Sequence, residues 1–543
     1  MNFNKKLAVA VSGAVLLMAG QFALADSTTD IVDALVGKGV LTEEEGKLIT
    51  KGHVSKTEKT PVVKEKDGAF VLSSPNGKNS IQLTGRMHFD YKANNINDYG
   101  DNGAYPFSQD GDSKSTADQF QMRRARIGIK GRIGGIADYL LLANIQGSSI
   151  LDEAFIDVNK FEPLGLKFGK FKQPMNLEIM TSSNNIDFIE RSYVSQNLPE
   201  KKFGAGIHGE FKGLTYFGSA FQNNDSVQSQ RDNDLSYAGR VTANFGELTD
   251  NKELVAHVGL NGYTSSYEVR PQTSGNTSGA AETTTRSTLF SYTSGGAGLA
   301  NMIRGQIAGE PIPVTTGTVG MYHTDSPSTA SVDSRKGGLE GSLAYKNFKV
   351  QGEYGQAYYD AKNSPLTKDT TLKADIDTWY AEALWTLTGE SYASAYKKGA
   401  YGLVKPNNEV NFDTGSGLGL WEIGARVDAV QMRNLEMYGT DTRVQGAVDK
   451  RVASGADSLD TCKNASAGSG TCTGAKAGAT SYTASIKWVL NPNFLIKANY
   501  TYTDFDNAFA PIDVGTKTTA RTTANMKLID HEDLLMIRGQ YMF

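Results

Sequence analysis

The feature that most limits the fold is a period of two that sets in near residue 80 and persists to the last residue. In Ser80 to Lys92, Ile81, Leu83, Gly85, Met87, Phe89 and Tyr91 alternate with Gln82, Thr84, Arg86, His88, Asp90 and Lys92. A helix would bring apolar residues round every third or fourth position, whereas a strand sends successive side chains to opposite faces. Trp421, Ile423, Ala425 and Val427 alternate in the same way with Glu422, Gly424, Arg426 and Asp428. Phe494, Ile496, Ala498, Tyr500 and Tyr502 do so against Leu495, Lys497, Asn499, Thr501 and Thr503. One face apolar and one polar, in strand after strand, is what a wall with lipid outside and water inside requires. The 14 prolines are few enough to leave long ladders unbroken, and 24 Tyr and 23 Phe residues suffice for aromatic girdles.

The connections sharpen this reading. Tight turns fall at Gly134-Gly135, Glu162-Pro163, Lys212-Gly213, Lys346-Asn347 and Asn491-Pro492. Between them lie longer polar links near 93–118, 172–203, 224–234, 268–335, 361–373, 434–479 and 506–530. Two links break the pattern: a short one near 147–150 and a long one on the turn side near 390–418. Short turns on one side and long loops on the other are outer-membrane topology, and counting strands this way gives about sixteen. The expected fold is therefore all-β, a transmembrane antiparallel barrel of residues 68–543. No window of 18 apolar residues follows the N-terminal segment, so helical spans are excluded.

Both ends of the chain fit an exported barrel. Lys5 and Lys6, the apolar run Leu7 to Gly20 and Ala23-Leu24-Ala25 read as a signal peptide, residues 1–25, cleaved before Asp26. Residues 26–67 read as a short helical segment and charged linker, periplasmic in position. Ile31 and Leu35 share a face there, and Thr42-Glu43-Glu44-Glu45 is a capping box. The last strand places Leu535, Ile537, Gly539, Tyr541 and Phe543 on one face and stops at the aromatic ring. Bacterial outer-membrane barrels resemble this, and in them Tyr541 and Phe543 would be the signal that the barrel assembly machinery reads. Cys462 and Cys472 sit in one Gly/Ser-rich loop of an exported chain, so a local disulfide is expected.

The most charged strand runs from Phe120 to Arg132. Ile127 and Ile129 set its outer face, so Arg124, Arg126, Lys130 and Arg132 share the inner one, with Arg86 on the neighbouring strand. Fixed cations on a narrow wet wall lower the energy of a passing anion. The alternative is that they pair with lumenal carboxylates and stiffen the wall. The link 172–203 is too long for a simple connector. Lys172, Glu178, Asp187, Glu190 and Arg191 make it a candidate constriction that folds inward, with a solvent-exposed loop as the alternative.

Several motifs resemble the phosphate-selective porin O/P family. They are Arg123-Arg124-Ala125-Arg126-Ile127, Phe168 to Pro174, Leu177-Glu178 and Phe188-Ile189-Glu190-Arg191-Ser192. Trp385 to Glu390, Leu490-Asn491-Pro492-Asn493 and Lys38 to Glu45 add to them. The resemblance implies a trimeric sixteen-stranded porin of the Gram-negative outer membrane whose third loop folds inward, passing anions such as phosphate or polyphosphate.

Other classes fit less well. The six histidines, His53, His88, His208, His257, His323 and His531, lack helical metal-ligand spacing, and no metal or cofactor is expected. Gly204-Ala205-Gly206-Ile207-His208-Gly209 runs into a strand and a tight turn rather than a helix, which argues against a dinucleotide site. The net charge of −4 gives no reason to expect nucleic acid. A plugged barrel serving as adhesin or scaffold, and a barrel hydrolase, remain as alternatives to an open pore. The expected partners are membrane lipid, the assembly machinery, two further copies of the chain and small anions.

Overall fold

The computed structural model describes residues 32, 35–49, 60–66, 69–94, 118–146, 150–223, 235–269, 287–297, 301–307, 330–363, 370–438, 442–446, 471–473, 477–509 and 529–543. Among them, sixteen strands close a barrel. The first eight are β1 (Ser80–Asn94), β2 (Gln119–Ile133), β3 (Ala137–Asn144), β4 (Leu151–Phe161), β5 (Leu164–Lys172), β6 (Lys201–Phe211), β7 (Leu214–Gln222) and β8 (Leu235–Asn244). The rest are β9 (Leu254–Val269), β10 (Ala330–Tyr345), β11 (Phe348–Asn363), β12 (Thr370–Thr386), β13 (Leu420–Tyr438), β14 (Ala477–Asn491), β15 (Phe494–Phe509) and β16 (Ile529–Met542). Each pairs antiparallel with the next, and β16 returns to β1 with Leu534 opposite Asn94 and Met542 opposite Arg86. Closure leaves the wall without an edge, so every ladder group is satisfied inside a bilayer.

Burial is inverted relative to a soluble protein. Leu141, Leu343 and Ile486 point outward and are 49%, 52% and 51% exposed, while Asp90, Lys349, Lys497 and Arg538 point inward and are buried. Trp421 and Trp488 stack on the outer face with ring centroids 5.1 Å apart, close to the tight turns, as an interfacial girdle requires. Those turns need left-handed backbone: Lys212 (φ 44°) with Gly213 (φ 78°), and Lys346 (φ 52°). The seam is completed beyond β16, where the Gly85 and Phe543 amides and carbonyls exchange hydrogen bonds of 2.9 and 3.2 Å. Gly85 must be glycine, since a Cβ there would enter the Phe543 ring.

The N-terminal segment is helical at 43–49, and the capping box forms. The Glu45 carboxylate accepts from the Thr42 amide at 2.9 Å, and Thr42 Oγ1 accepts from the Glu45 amide at 3.2 Å. That backbone hydrogen bond, with the Thr42 hydroxyl, lowers the Glu45 pKa below its ordinary value. The linker is not wholly irregular: Val62–Lys66 and Ala69–Ser73 form a hairpin that pairs with the start of β1. Residues 1–25 and Cys462 lie outside the described residues, and of Cys472 only the backbone is described.

Candidate functional site

The segment between β5 and β6 crosses the lumen and is fastened to the opposite wall. Asn176 caps a single helical turn, Leu177–Met180, by accepting from the Ile179 amide at 3.0 Å. Its carboxylates do not face open water. Glu178 accepts from the Ser192 and Ser195 hydroxyls and lies 3.5 Å from Arg426 of β13. Asp187 meets Lys349 of β11 at 2.6 Å and Lys487 of β14 at 3.9 Å. Glu190 meets Arg123 of β2 at 2.9 Å and Arg538 of β16 at 2.8 Å. Burial alone would favour the neutral Glu190 acid, but Arg123, Arg538 and Arg124 hold it well below the ordinary carboxylate range.

Two further insertions fill the same side. From the loop end, Ser287–Thr293, Asn301–Ile307 and Thr442–Gly446 form a three-stranded sheet. Its Leu289, Phe290, Tyr292 and Ile303 pack on Tyr193, Tyr359, Val430 and neighbours, an apolar core inside the barrel. From the turn end, the link after β12 sends a finger across the mouth, Tyr396–Lys397 and Ala400–Tyr401, with Lys398 (φ 53°) and Gly399 (φ 72°) at its tip. Tyr396 Oη lies 2.7 Å from His257, Tyr401 Oη lies 2.8 Å from Ser342, and Arg240 donates to the Gly399 carbonyl at 2.7 Å. Sheet, loop and finger together occupy the lumen along β9–β16, and the loop also reaches β1 and β7, where Ser183 accepts from Arg86 and Met175 and Ile179 pack with Phe221.

Around the loop, the inner face of β1, β2, β5 and β6 is cationic. Arg86 donates to Ser183 Oγ at 2.9 Å, and Arg124 lies 3.5 Å from His88 Nδ1. Arg126 pairs with Asp152 at 3.0 Å, which Lys201 also contacts at 2.6 Å; Lys201 lies 3.4 Å from Glu153. Arg191 pairs with Glu200 at 3.2 Å, and Lys172 donates to the Thr181 carbonyl at 3.3 Å. Arg86 feels Arg126, Asp152, Glu153 and Glu200, while Glu200 feels Arg191, Lys201, Lys172 and Arg124, so the groups form one electrostatic cluster. Six basic groups there face Asp152, Glu153 and Glu200, and Glu190 acts on Arg124 as well. Among the described residues, no carboxylate lies within ion-pair distance of Arg86 or Arg124.

Arg86, Arg124 and Arg126 thus lie together, with Lys130 further along the same face of β2, opposite Gln82. Arg132 stands apart, paired with Asp138 at 3.0 Å beside the Gly134-Gly135 turn. Sequence reasoning passed over Arg123. A bulge in β2 opposite His88 and Phe89 sends both Arg123 and Arg124 inward, which strict alternation cannot foresee. It also passed over Lys201 and Arg538. The parity of Arg538 was readable from Ile537, but its partners Asp90 and Glu190 lie 448 and 348 residues away.

The comparisons with known proteins agree with this geometry. The family model for phosphate-selective porin O and P matches residues 81–289 and 317–543. The chain belongs to that family. It is therefore an outer-membrane porin of a bacterium. Porin O of Pseudomonas aeruginosa is 26% identical over 390 residues, 70% of this chain and 78% of that protein. Solved structures that align with it include OmpT, an outer membrane protein of Vibrio cholerae. That alignment has a TM-score of 0.43 at 9% identity and covers 86% of this chain and 98% of that one. An anion-selective porin from Comamonas acidovorans aligns with a TM-score of 0.40 at 11% identity, covering 86% of this porin and 100% of that chain.

Arg538 is the clasp that keeps the porin's loop in place. It is fully buried, grips Asp90 with two bonds of 2.7 Å, and donates to the Ile189 carbonyl at 2.6 Å and to Glu190. Arg538→Met leaves two buried carboxylates short of a partner, a loss of about 3–5 kcal/mol. The expected outcome is a larger, noisier single-channel conductance and faster protease cutting between residues 173 and 200. An unchanged conductance trace would show that the clasp does not set the bore.

Proposed function

We propose that this porin passes small anions, phosphate and polyphosphate among them, by passive diffusion. The observation that carries this is the cationic cluster on the inner face of β1, β2, β5 and β6 and the adjoining loop. Several moderate cationic sites in series attract an anion without trapping it, which conduction requires. Of the inward loop's carboxylates, Glu200 offsets part of the cluster, and the others are held mainly by cations outside it. Glu178 and Asp187 are held by Arg426, Lys349 and Lys487, and Glu190 is shared between Arg123 and Arg538. The name of the family and the anion-selective neighbour support the same class of cargo.

Three copies of the chain, lipid around the barrel and the assembly machinery during biogenesis are the partners proposed. The deciding measurement is the zero-current potential of the purified porin in a planar bilayer under a KCl gradient. An anion-selective pore gives the sign set by chloride. The sign set by potassium would refute the reading.

A further inference from the structure

We infer that the exit of the pore holds a second solute station, one that takes neutral, hydroxyl-rich molecules rather than ions. Below Met180 of the loop, between the finger tip and the walls of β4–β8, lies a cavity of about 230 Å³. Its lining differs in kind from the cationic cluster: Asp157, Glu162 and Glu210 face Lys167, Arg240 and Lys398.

Most of these charges are paired, while Glu162, exposed at the turn, has no ion pair among the described residues. Asp157 is shared between Lys167 at 3.1 Å and His208 at 2.7 Å, Glu210 meets Lys398 at 3.1 Å, and Arg240 meets Glu340 at 2.8 Å. A paired carboxylate exerts little net field on a passing ion, yet it retains lone pairs for a hydroxyl donor. A paired ammonium likewise retains N–H groups for a hydroxyl acceptor. A hydroxyl both donates and accepts, so a sugar satisfies such a wall without breaking the ion pairs, whereas an ion must disrupt them.

Two further observations point to a polar, uncharged occupant. Asn159, on the same lining, donates to Asp138 at 2.6 Å and keeps a buried Oδ1 with no hydrogen-bond partner. Phe217 and Met180 supply an apolar patch for the C–H face of a sugar ring. Lys167 lies over the Phe155 ring at 4.3 Å, so its ammonium is held in place and its position is fixed before any solute arrives.

The test is block of ion current by maltose, added to each side of a planar bilayer in turn. A polyethylene glycol of matched radius controls for size, and glycine betaine serves as the zwitterionic probe. Maltose is expected to block at lower concentration than either, and more readily from the turn side. Asp157→Asn and Asn159→Ala are expected each to raise the half-blocking concentration about fivefold, the effect of one lost hydrogen bond. Both variants should keep heat-modifiable mobility, and Asn159→Ala, which removes no charge, should keep the parent's zero-current potential. The proposal is overturned if the glycol blocks as well as maltose, if betaine blocks better, or if correctly folded variants keep the parent's sensitivity. Anion selectivity is read from the potential alone, so the two readings fail separately.

Discussion

Changing Arg86 and Lys130 to glutamate is expected to carry the channel from anion towards cation preference, with the larger change in dilute salt. Both side chains lie on the inner face of β1 and β2, and Arg86 donates to the Ser183 hydroxyl of the inward loop. In water, two unit charges about 8 Å apart interact by about 0.5 kcal/mol. Moving the wall by about four charge units therefore alters ion partitioning by about 2 kcal/mol before screening, roughly a tenfold change in permeability ratio or more. The Debye length is about 10 Å at 0.1 M and about 3 Å at 1 M, so screening is incomplete in dilute salt and nearly complete in molar salt. Zero-current potentials in dilute and concentrated KCl give the answer. A double variant that keeps the parent's potential in dilute KCl would mean that β1 and β2 do not set selectivity.

The second large effect is expected at the seam. Tyr541 and Phe543 lie with ring centroids 5.7 Å apart on the last strand, and Phe543 completes the ladder to Gly85. Replacing both with serine removes about 2 kcal/mol of apolar transfer per ring from the strand that must close the barrel. The chain should then accumulate outside the membrane and be lost to proteases, with the membrane-inserted, heat-modifiable form falling about tenfold. Wild-type amounts of that form would place the closure signal elsewhere.

Much of the architecture was readable because lipid enforces it. A side chain on the wrong face of β1 or β13 is punished by hydrocarbon, so Leu83, Met87, Ile423 and Val427 announce the outer surface directly. The tight turns follow from the same logic, since Lys212-Gly213 and Lys346 tolerate the backbone that a two-residue turn imposes. What lies inside is less legible. Glu178, Asp187 and Glu190 stand out as acidic loop residues, yet the cations that neutralise them come from five different strands. Their pairing depends on closure of the whole cylinder, which no local window contains. The bulge at Arg123 is invisible for the opposite reason. It is a local slip of one residue, permitted wherever the extra side chain finds a partner, and Glu190 provides one. The finger after β12 was visible only as a long link on the turn side. Its tyrosines declare themselves once His257 and Ser342 are seen beneath them.

A cylinder packed more heavily along one arc than along the other does not yield evenly. Behind β9–β13, whose strands run 16 to 19 residues, stand the inner sheet, the loop and the finger. β3 and β7 are shorter, of 8 and 9 residues, and β7 meets only the loop, through Phe221. Lateral pressure from the membrane and thermal motion of the wall will therefore be taken up where bracing from within is lighter. The more pliant arc is also the one beside the cationic cluster. Fluctuations in bilayer tension are thereby transmitted to the bore, while the braced arc keeps its charges in register.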